Sequence, residues 1–323
     1  MISPIQSVRV PDAHHEYRTW LVDSRRWQHY KPREGDVSVA TYPKSGTTWI
    51  LRIVSLLVFK NTNPIALDAT FPWWDYRVAL PIDIVAERFE ARTHQRCTKT
   101  HLPFDGLPIF DELRYIHCAR DPRDVCLSYH NHTNGFTADA LKVMDEVGLS
   151  DPKVARPYPK IEKDPADFFH YWLTEGALPD QSDGRPFLSY FEFEKTYFDD
   201  RHRSNLLFVH YNDLKADLVG EMMRIADFIG VSVTRTEVEQ LATAAEFSTM
   251  QKEGAALIPD VAKNFDGGAQ RLFHRGSNER WKDLFRPDDL ALLEAKLNAI
   301  LPKDYVNWIF KGRASGVDPK AIS

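Results

Sequence analysis

Short, continuously apolar runs alternate with longer stretches whose apolar residues recur at helical spacing. The first run, V-S-V-A-T-Y over 37–42, is β-branched, breaks at Pro43, and gives way to an apolar stretch over 49–59 long enough for a helix. Runs over 96–101, 113–119 and 206–211 are read as further strands, and the last, L-L-F-V-H-Y, is apolar enough to be buried on both faces. Helical spacing covers 168–175, 190–202, 213–229, 234–245 and 288–301, and Gly230 is placed to end the third of these. Pro122 suits the first turn of a further helix reaching Tyr129. Strands alternating with helices predict an α/β fold, a mainly parallel sheet with helices on both faces. Without a repeat or low-complexity linker, the expectation is one domain over 1–323. It begins with an irregular wrap containing a short helix over 1–36 and ends in a loose tail over 311–323. Residues 134–165 carry Gly, Pro and charge with little period, so a lid or binding loop is expected there.

Composition adds limits. With 43% hydrophobic and 12% aromatic residues, the 323-residue chain has ample material for a buried core. The net charge of −5 gives no reason to expect nucleic acid, so an anionic ligand would need a local basic cluster. Cys97, Cys118 and Cys126 are odd in number and read as small buried hydrophobes in a reducing compartment. The N-terminus has neither a charged nor an apolar signal region, and 49–59 is too short to span a bilayer. The expectation is a soluble, cytoplasmic protein with no transmembrane segment.

The chemistry concentrates at the junction Tyr42-Pro43-Lys44-Ser45-Gly46-Thr47-Thr48-Trp49. A strand, a tight loop and a helix bring backbone N–H groups and a positive helix end to one point, which is an anion site. Lys44 adds charge, and Ser45, Thr47 and Thr48 add hydroxyl donors. A nucleoside-triphosphate loop would need two glycines with the lysine after the second, whereas here Lys44 precedes the single Gly46. Two more strand ends carry Lys99 with His101, and Arg120 with Ser128 eight residues on. Parallel strands would gather all of these on one edge.

These residues closely resemble the motifs of the cytosolic-type sulfotransferases that use 3′-phosphoadenosine 5′-phosphosulfate (PAPS), with a bacterial-like cast. The 42–49 stretch resembles their P-loop-like 5′-phosphosulfate loop, and K-T-H-L-P over 99–103 the segment of the catalytic histidine. R-D-P-R-D-V-C-L-S-Y over 120–129 resembles the 3′-phosphate motif. Tyr211 and Phe247 stand where the family contacts adenine, and Trp49 is either plain core or a third adenine neighbour. A late glycine-rich motif departs from the family, with His274 at an arginine position, Arg275 at a lysine position and Glu279 at a glycine position, while Gly276 and Trp281 keep their spacing. The resemblance implies sulfonate transfer to a hydroxyl, with His101 as general base and Lys44 at the leaving phosphate. Lys99 is either a hold on the sulfonate or a surface charge. It also implies a 3′-phosphate held by Arg120, Ser128 and an arginine between 271 and 280, Arg275 or a neighbour, with no metal required. A kinase or NTPase is the alternative on the same architecture. A degenerate binding or scaffold protein would have lost His101 or Lys44, and both are present.

The acceptor is expected to be a phenol, steroid, alcohol or glycolipid, shaped by 71–76, 131–160 and 184–191. The first of these, F-P-W-W-D-Y, is a packed loop or an apolar acceptor wall. His130 and His132 lack a nearby third metal ligand, so they are read as a loop beside that pocket. His14 and His15 are read as solvated. Asp121, Arg123 and Asp124 are read as local caps and ion pairs.

Overall fold

The computed structural model describes residues 13, 15–78, 80–274 and 276–323. Four strands, β1 (Asp36–Ala40), β2 (Cys97–Thr100), β3 (Leu113–Ala119) and β4 (Leu206–His210), form a wholly parallel sheet in the order β2-β1-β3-β4. The longer helices are α1 (Thr47–Phe59), α2 (Ile82–Glu90), α3 (Pro122–Thr133), α4 (Ala138–Ser150), α5 (Pro165–Thr174) and α6 (Tyr190–Asp199). After β4 come α7 (Tyr211–Ala216), α8 (Leu218–Ile229), α9 (Arg235–Ala242), α10 (Phe247–Lys252), α11 (Pro287–Ile300) and α12 (Lys303–Lys311). None of the described helices is long and apolar enough to cross a membrane.

Period-two alternation divides the strand side chains between two layers. Val37, Val39, Cys97, Ile116, Cys118 and Val209 join one core with α1, α8 and α9. Ala40, Leu113, Tyr115, Ala119, Leu206 and Phe208 join the other, with α3, α5, α6, α11 and α12. Both faces are covered, which is why β4, L-L-F-V-H, reads as a nearly continuous apolar run. At its amino edge the sheet is pinned by Asp36, which takes the Arg96 guanidinium and the Tyr30 hydroxyl, the latter at 2.9 Å. In register, Ala40 lies beside both Thr100 and His117, and Ala119 beside His210. The four carboxyl ends are therefore nearly flush, and the segments that follow them share one edge.

Four sequence expectations need correction. Within 134–165 the structure has helix α4, with Thr137 as N-cap accepting from the Ala140 N–H at 3.2 Å. Its buried contacts are sparse, Met144 and Gly148, so the apolar period is weak. The stretch 213–229 is two helices, because Asp217 turns out of helical geometry and caps α8 through the Gly220 N–H at 2.8 Å. Helix 190–202 stops at Asp199. The tail over 311–323 is packed, not loose. The Arg313 N–H donates to Asp213 Oδ1 at 2.9 Å, Arg201 donates to the Ile322 carbonyl at 2.9 Å, and Pro319 is buried. Of the expected N-terminal wrap, residues 1–12 and 14, His14 included, lie outside the described residues. The described part contains a 3-10 helix over Ser24–His29 capped by Asp23. Helices α2 and α12 were not anticipated at all. The three cysteines are buried and free.

Candidate active site

Each strand end delivers one part of the site. After β1, Lys44 sits at φ 74° and Gly46 at φ 113°. Left-handed backbone is strained for a lysine, and it turns successive N–H groups toward the start of α1. At Gly46 a Cβ would lie 3.1 Å from the Tyr211 ring, in a backbone conformation that side chains avoid. Ser45 Oγ is buried and has no hydrogen-bond partner among the described residues. Thr47 Oγ1 lies 2.6 Å from Thr41 Oγ1, so one of its bonds is spent within the loop.

After β2 comes His101, buried, with Nδ1 2.7 Å from the Thr41 carbonyl. A carbonyl only accepts, so Nδ1 carries the hydrogen and Nε2 the lone pair. Burial, then the charge of Lys99, pushes the imidazole down to about 3, so it is neutral at pH 7. Lys99 and Lys44 are both held down at about 8, first by loss of water and, for Lys44, by the charges of Arg120 and Lys99. Among the described residues no carboxylate makes an ion pair with Lys44, Lys99 or Arg120. Asp68 and Asp75 act on Lys99 only from a distance, and three crowded cations with no ion-paired carboxylate among the described residues are the electrostatic mark of an anion site.

After β3, Arg120 spends Nη1 on the Lys44 carbonyl and Nη2 on Asn278 Oδ1, both at 3.1 Å. Its buried Nε has no hydrogen-bond partner among the described residues, and the guanidinium lies 4.1 Å from the Tyr211 ring centroid. Helix α3 starts here because Asp121 caps it, accepting from the Arg123 N–H at 2.9 Å, with Pro122 in the first turn. Asp121 also pairs with the Arg123 guanidinium at 2.6 Å, as read from sequence. Asp124 accepts from the Glu279 N–H at 2.8 Å and so docks the late glycine-rich segment. Glu279 has φ 64°, which gives the physical reason a glycine would suit that position. Arg123 stacks over Trp281 at 4.0 Å. After β4, Tyr211 opens α7 and meets Trp49 edge-on, centroids 5.2 Å apart. At Gly276 a Cβ would fall 2.8 Å from Phe247, so only glycine lets that ring lie there. Arg275 lies outside the described residues. Arg271 donates to the Asn131 carbonyl at 2.8 Å.

A cavity of about 1240 Å³ joins these parts. Lys44, Gly46, Thr47, Thr48, Trp49, Lys99, His101, Arg120, Ser128, Tyr211, Phe247 and Gly276 all line it, whereas Ser45 stands behind the loop. Its far wall combines loop 71–76 with α3 and α4. Trp73 stacks on Tyr76 with centroids 4.6 Å apart and meets His101 edge-on at 4.7 Å. Asp75 anchors Trp73 by accepting from its Nε1 at 2.8 Å, and burial raises this carboxyl to about 6. Phe71 belongs to the core, so the 71–76 stretch is packed loop at one end and cavity wall at the other. His132 lines the cavity, and His130 instead faces the Glu162 and Lys163 carbonyls, each at 3.1 Å. From 184–191 Phe187 reaches the cavity. Sequence reading missed the Thr41 carbonyl, Asp75 and Asn278. Nothing local marks the Thr41 carbonyl or Asn278, since their partners lie 60 and 158 residues away. Asp75 alone left a trace, as a lone carboxylate among tryptophans.

Comparison with known proteins agrees with this geometry. The chain matches the sulfotransferase domain family over residues 34–298. It is 30% identical over 315 residues to a glycolipid sulfotransferase of Mycobacterium bovis, covering 94% of this chain and 96% of that one. It is 27% identical over 287 residues to cytosolic sulfotransferase 1 of Danio rerio, covering 80% and 84%. In fold it is similar to retinol dehydratase solved with androsterone and the inactive cofactor PAP, at a TM-score of 0.66 and 23% identity, covering 89% and 87%. It is likewise similar to a mouse sulfotransferase solved with PAP, at 0.63 and 20%, covering 94% and 99%.

Proposed function

The chain belongs to the sulfotransferase family, and from that premise we propose that it moves the sulfonate of PAPS onto a hydroxyl of a small-molecule or lipid acceptor. The observation that carries this reading is a neutral, backbone-oriented imidazole sharing one cavity with two lysines that make no ion pair among the described residues. Nε2 of His101 takes the acceptor proton. The acceptor oxygen bonds to sulfur as the bond from sulfur to the phosphate oxygen breaks, and the electron pair leaves on that phosphate. Lys44 and the N–H groups at Gly46 to Thr48 meet the charge that grows there. Lys99 holds the sulfonate. The same anions offset the charges that depress His101, so the imidazole becomes more basic once the donor is bound.

The donor set fits PAPS. Arg120 keeps an unpartnered Nε for a 3′-phosphate, with Ser128 lining the cavity two turns along α3. Trp49, Tyr211 and the Phe247–Gly276 contact form an aromatic slot for adenine. Arg275, or a neighbour in the same segment, is the second grip on that phosphate. The family comparisons, with relatives named glycolipid and cytosolic sulfotransferases, support glycolipid or other hydroxylated acceptors and a cytoplasmic location. The chain is read as one domain, since segments from both ends of the described residues pack on a single sheet.

Calorimetric titration tests the donor assignment. Two charge-assisted hydrogen bonds of roughly 1.5–3 kcal/mol each correspond to about 10²–10⁴ in affinity. Adenosine 3′,5′-bisphosphate should therefore bind at least about a hundredfold tighter than adenosine 5′-monophosphate. Arg120→Ala should erase most of that gap. Equal affinities in the wild-type protein would remove Arg120 and Ser128 from the reading, and tight magnesium-dependent ATP binding would favour the kinase alternative.

A further inference from the structure

Helix α3 carries an imidazole where packing alone asks for a phenyl ring. His132 sits among Tyr129, Phe136 and Phe265, with ring centroids 6.0, 5.2 and 4.6 Å away. Among the described residues neither of its nitrogens has a hydrogen-bond partner, and Nδ1 is cut off from solvent. Two residues earlier, His130 finds two backbone carbonyls, so the same helix shows what a satisfied histidine looks like. Enclosure pushes His132 well below its ordinary value, and the nearby charges of Lys44 and Lys99 and the His101 ring add to this. It is a neutral ring offering one donor and one acceptor.

An enclosed polar group is retained at a cost unless something pairs with it. His132 opens onto the cavity that His101 also lines. An acceptor with a single hydroxyl would satisfy His101 alone, and a second oxygen beside the first would pair with Nε2 of His132, the ring nitrogen that is not cut off from solvent. The stacked Trp73 and Tyr76 offer a flat aromatic wall beside His101, suited to the face of a sugar ring. Farther out, Val143 and Leu80 line the cavity and are exposed, 39% and 42%, at the rim where an apolar tail would leave.

Resting on the reading of this cavity as the acceptor site of a sulfotransferase, we propose that His132 determines acceptor specificity by hydrogen-bonding a second hydroxyl next to the one that receives the sulfonate. The preferred acceptors are then glycosides and similar polyols with apolar tails, ahead of phenols and sterols with one hydroxyl.

The test compares kcat/KM for hexyl glucoside and 4-hexylphenol with PAPS as donor, in the wild-type protein, His132→Phe and His132→Gln. The wild-type protein should favour the glucoside. In His132→Phe the glucoside-to-phenol ratio should fall roughly 10–100-fold, and His132→Gln, which keeps a donor and an acceptor, should recover most of it. A ratio unchanged within about threefold in His132→Phe overturns the proposal, as does a wild-type preference for the phenol. Should His132→Phe not fold, monodeoxy glucosides decide with the wild-type protein. Removing one neighbouring hydroxyl must lower kcat/KM, and if no monodeoxy sugar is poorer, the proposal fails. Binding of adenosine 3′,5′-bisphosphate with transfer to neither acceptor overturns the polyol assignment and leaves the donor reading intact. Loss of that binding removes the parent reading instead.

Discussion

His101 holds its hydrogen on Nδ1 against the Thr41 carbonyl at 2.7 Å, so backbone, not a carboxylate, fixes the lone pair on Nε2. A carboxylate partner would also have raised the basicity of the ring, and here enclosure and Lys99 lower it. His101→Ala should cost about two to four decades of turnover, the usual worth of a positioned base, with adenosine 3′,5′-bisphosphate affinity nearly unchanged. Single-turnover rates and calorimetry check both halves, and near-normal turnover would remove His101 from the chemistry. At this scale the sequence was legible wherever a residue type has one dominant use. A histidine and a lysine two apart at a strand end announced themselves, whereas the Thr41 carbonyl is common to every residue and carries no such mark.

Helix α3 shows how one element serves several parts of the site. Asp124, Ser128 and His132 recur every four residues and so share a face, which turns toward the cavity. The first docks the Glu279 segment, and the second and third line the cavity. Loosening the start of the helix should disturb all three. Asp121→Ala removes the cap and the Arg123 pair, and should cost about 0.5–2 kcal/mol of stability, with Asp121→Asn retaining most of it. Denaturant midpoints measure this, and an unchanged midpoint in the alanine variant would show that the cap contributes nothing here. The start of α3 was legible because Asp-Pro signals are local. Helix α4 was missed because its buried contacts are few, and the break at Asp217 was missed because apolar spacing continues across it.

At the scale of the whole molecule, a chain of net charge −5 must attract a multiply charged anion through local crowding alone. Lys44 and Lys99, held at about 8 in the ligand-free protein, supply a pH signature. Both are depressed from the usual lysine range, so above pH 8 the free protein loses protons that the bound state keeps. Binding then takes up protons, and adenosine 3′,5′-bisphosphate affinity should fall as pH rises, by up to about tenfold per pH unit through Lys44, the lysine placed at its phosphate. Between pH 7 and 8, as Lys44 reaches half deprotonation, it should fall only about twofold. Calorimetry in buffers of different ionisation enthalpy at pH 8.5 would register the uptake, and zero uptake would mean that Lys44 is not the phosphate's partner. By itself the sequence determined the runs that became strands, the 42–49 loop and the order of the strand-end motifs. Each is written in residues a few positions apart, where backbone sterics, capping and periodicity act. Only the tertiary structure decided that β2 and β3 flank β1, that Asn278 steadies Arg120 from 158 residues away, and that His132 finds no hydrogen-bond partner among the described residues. Those outcomes depend on which side chains fill the space between distant segments, and close packing settles that for the whole chain at once.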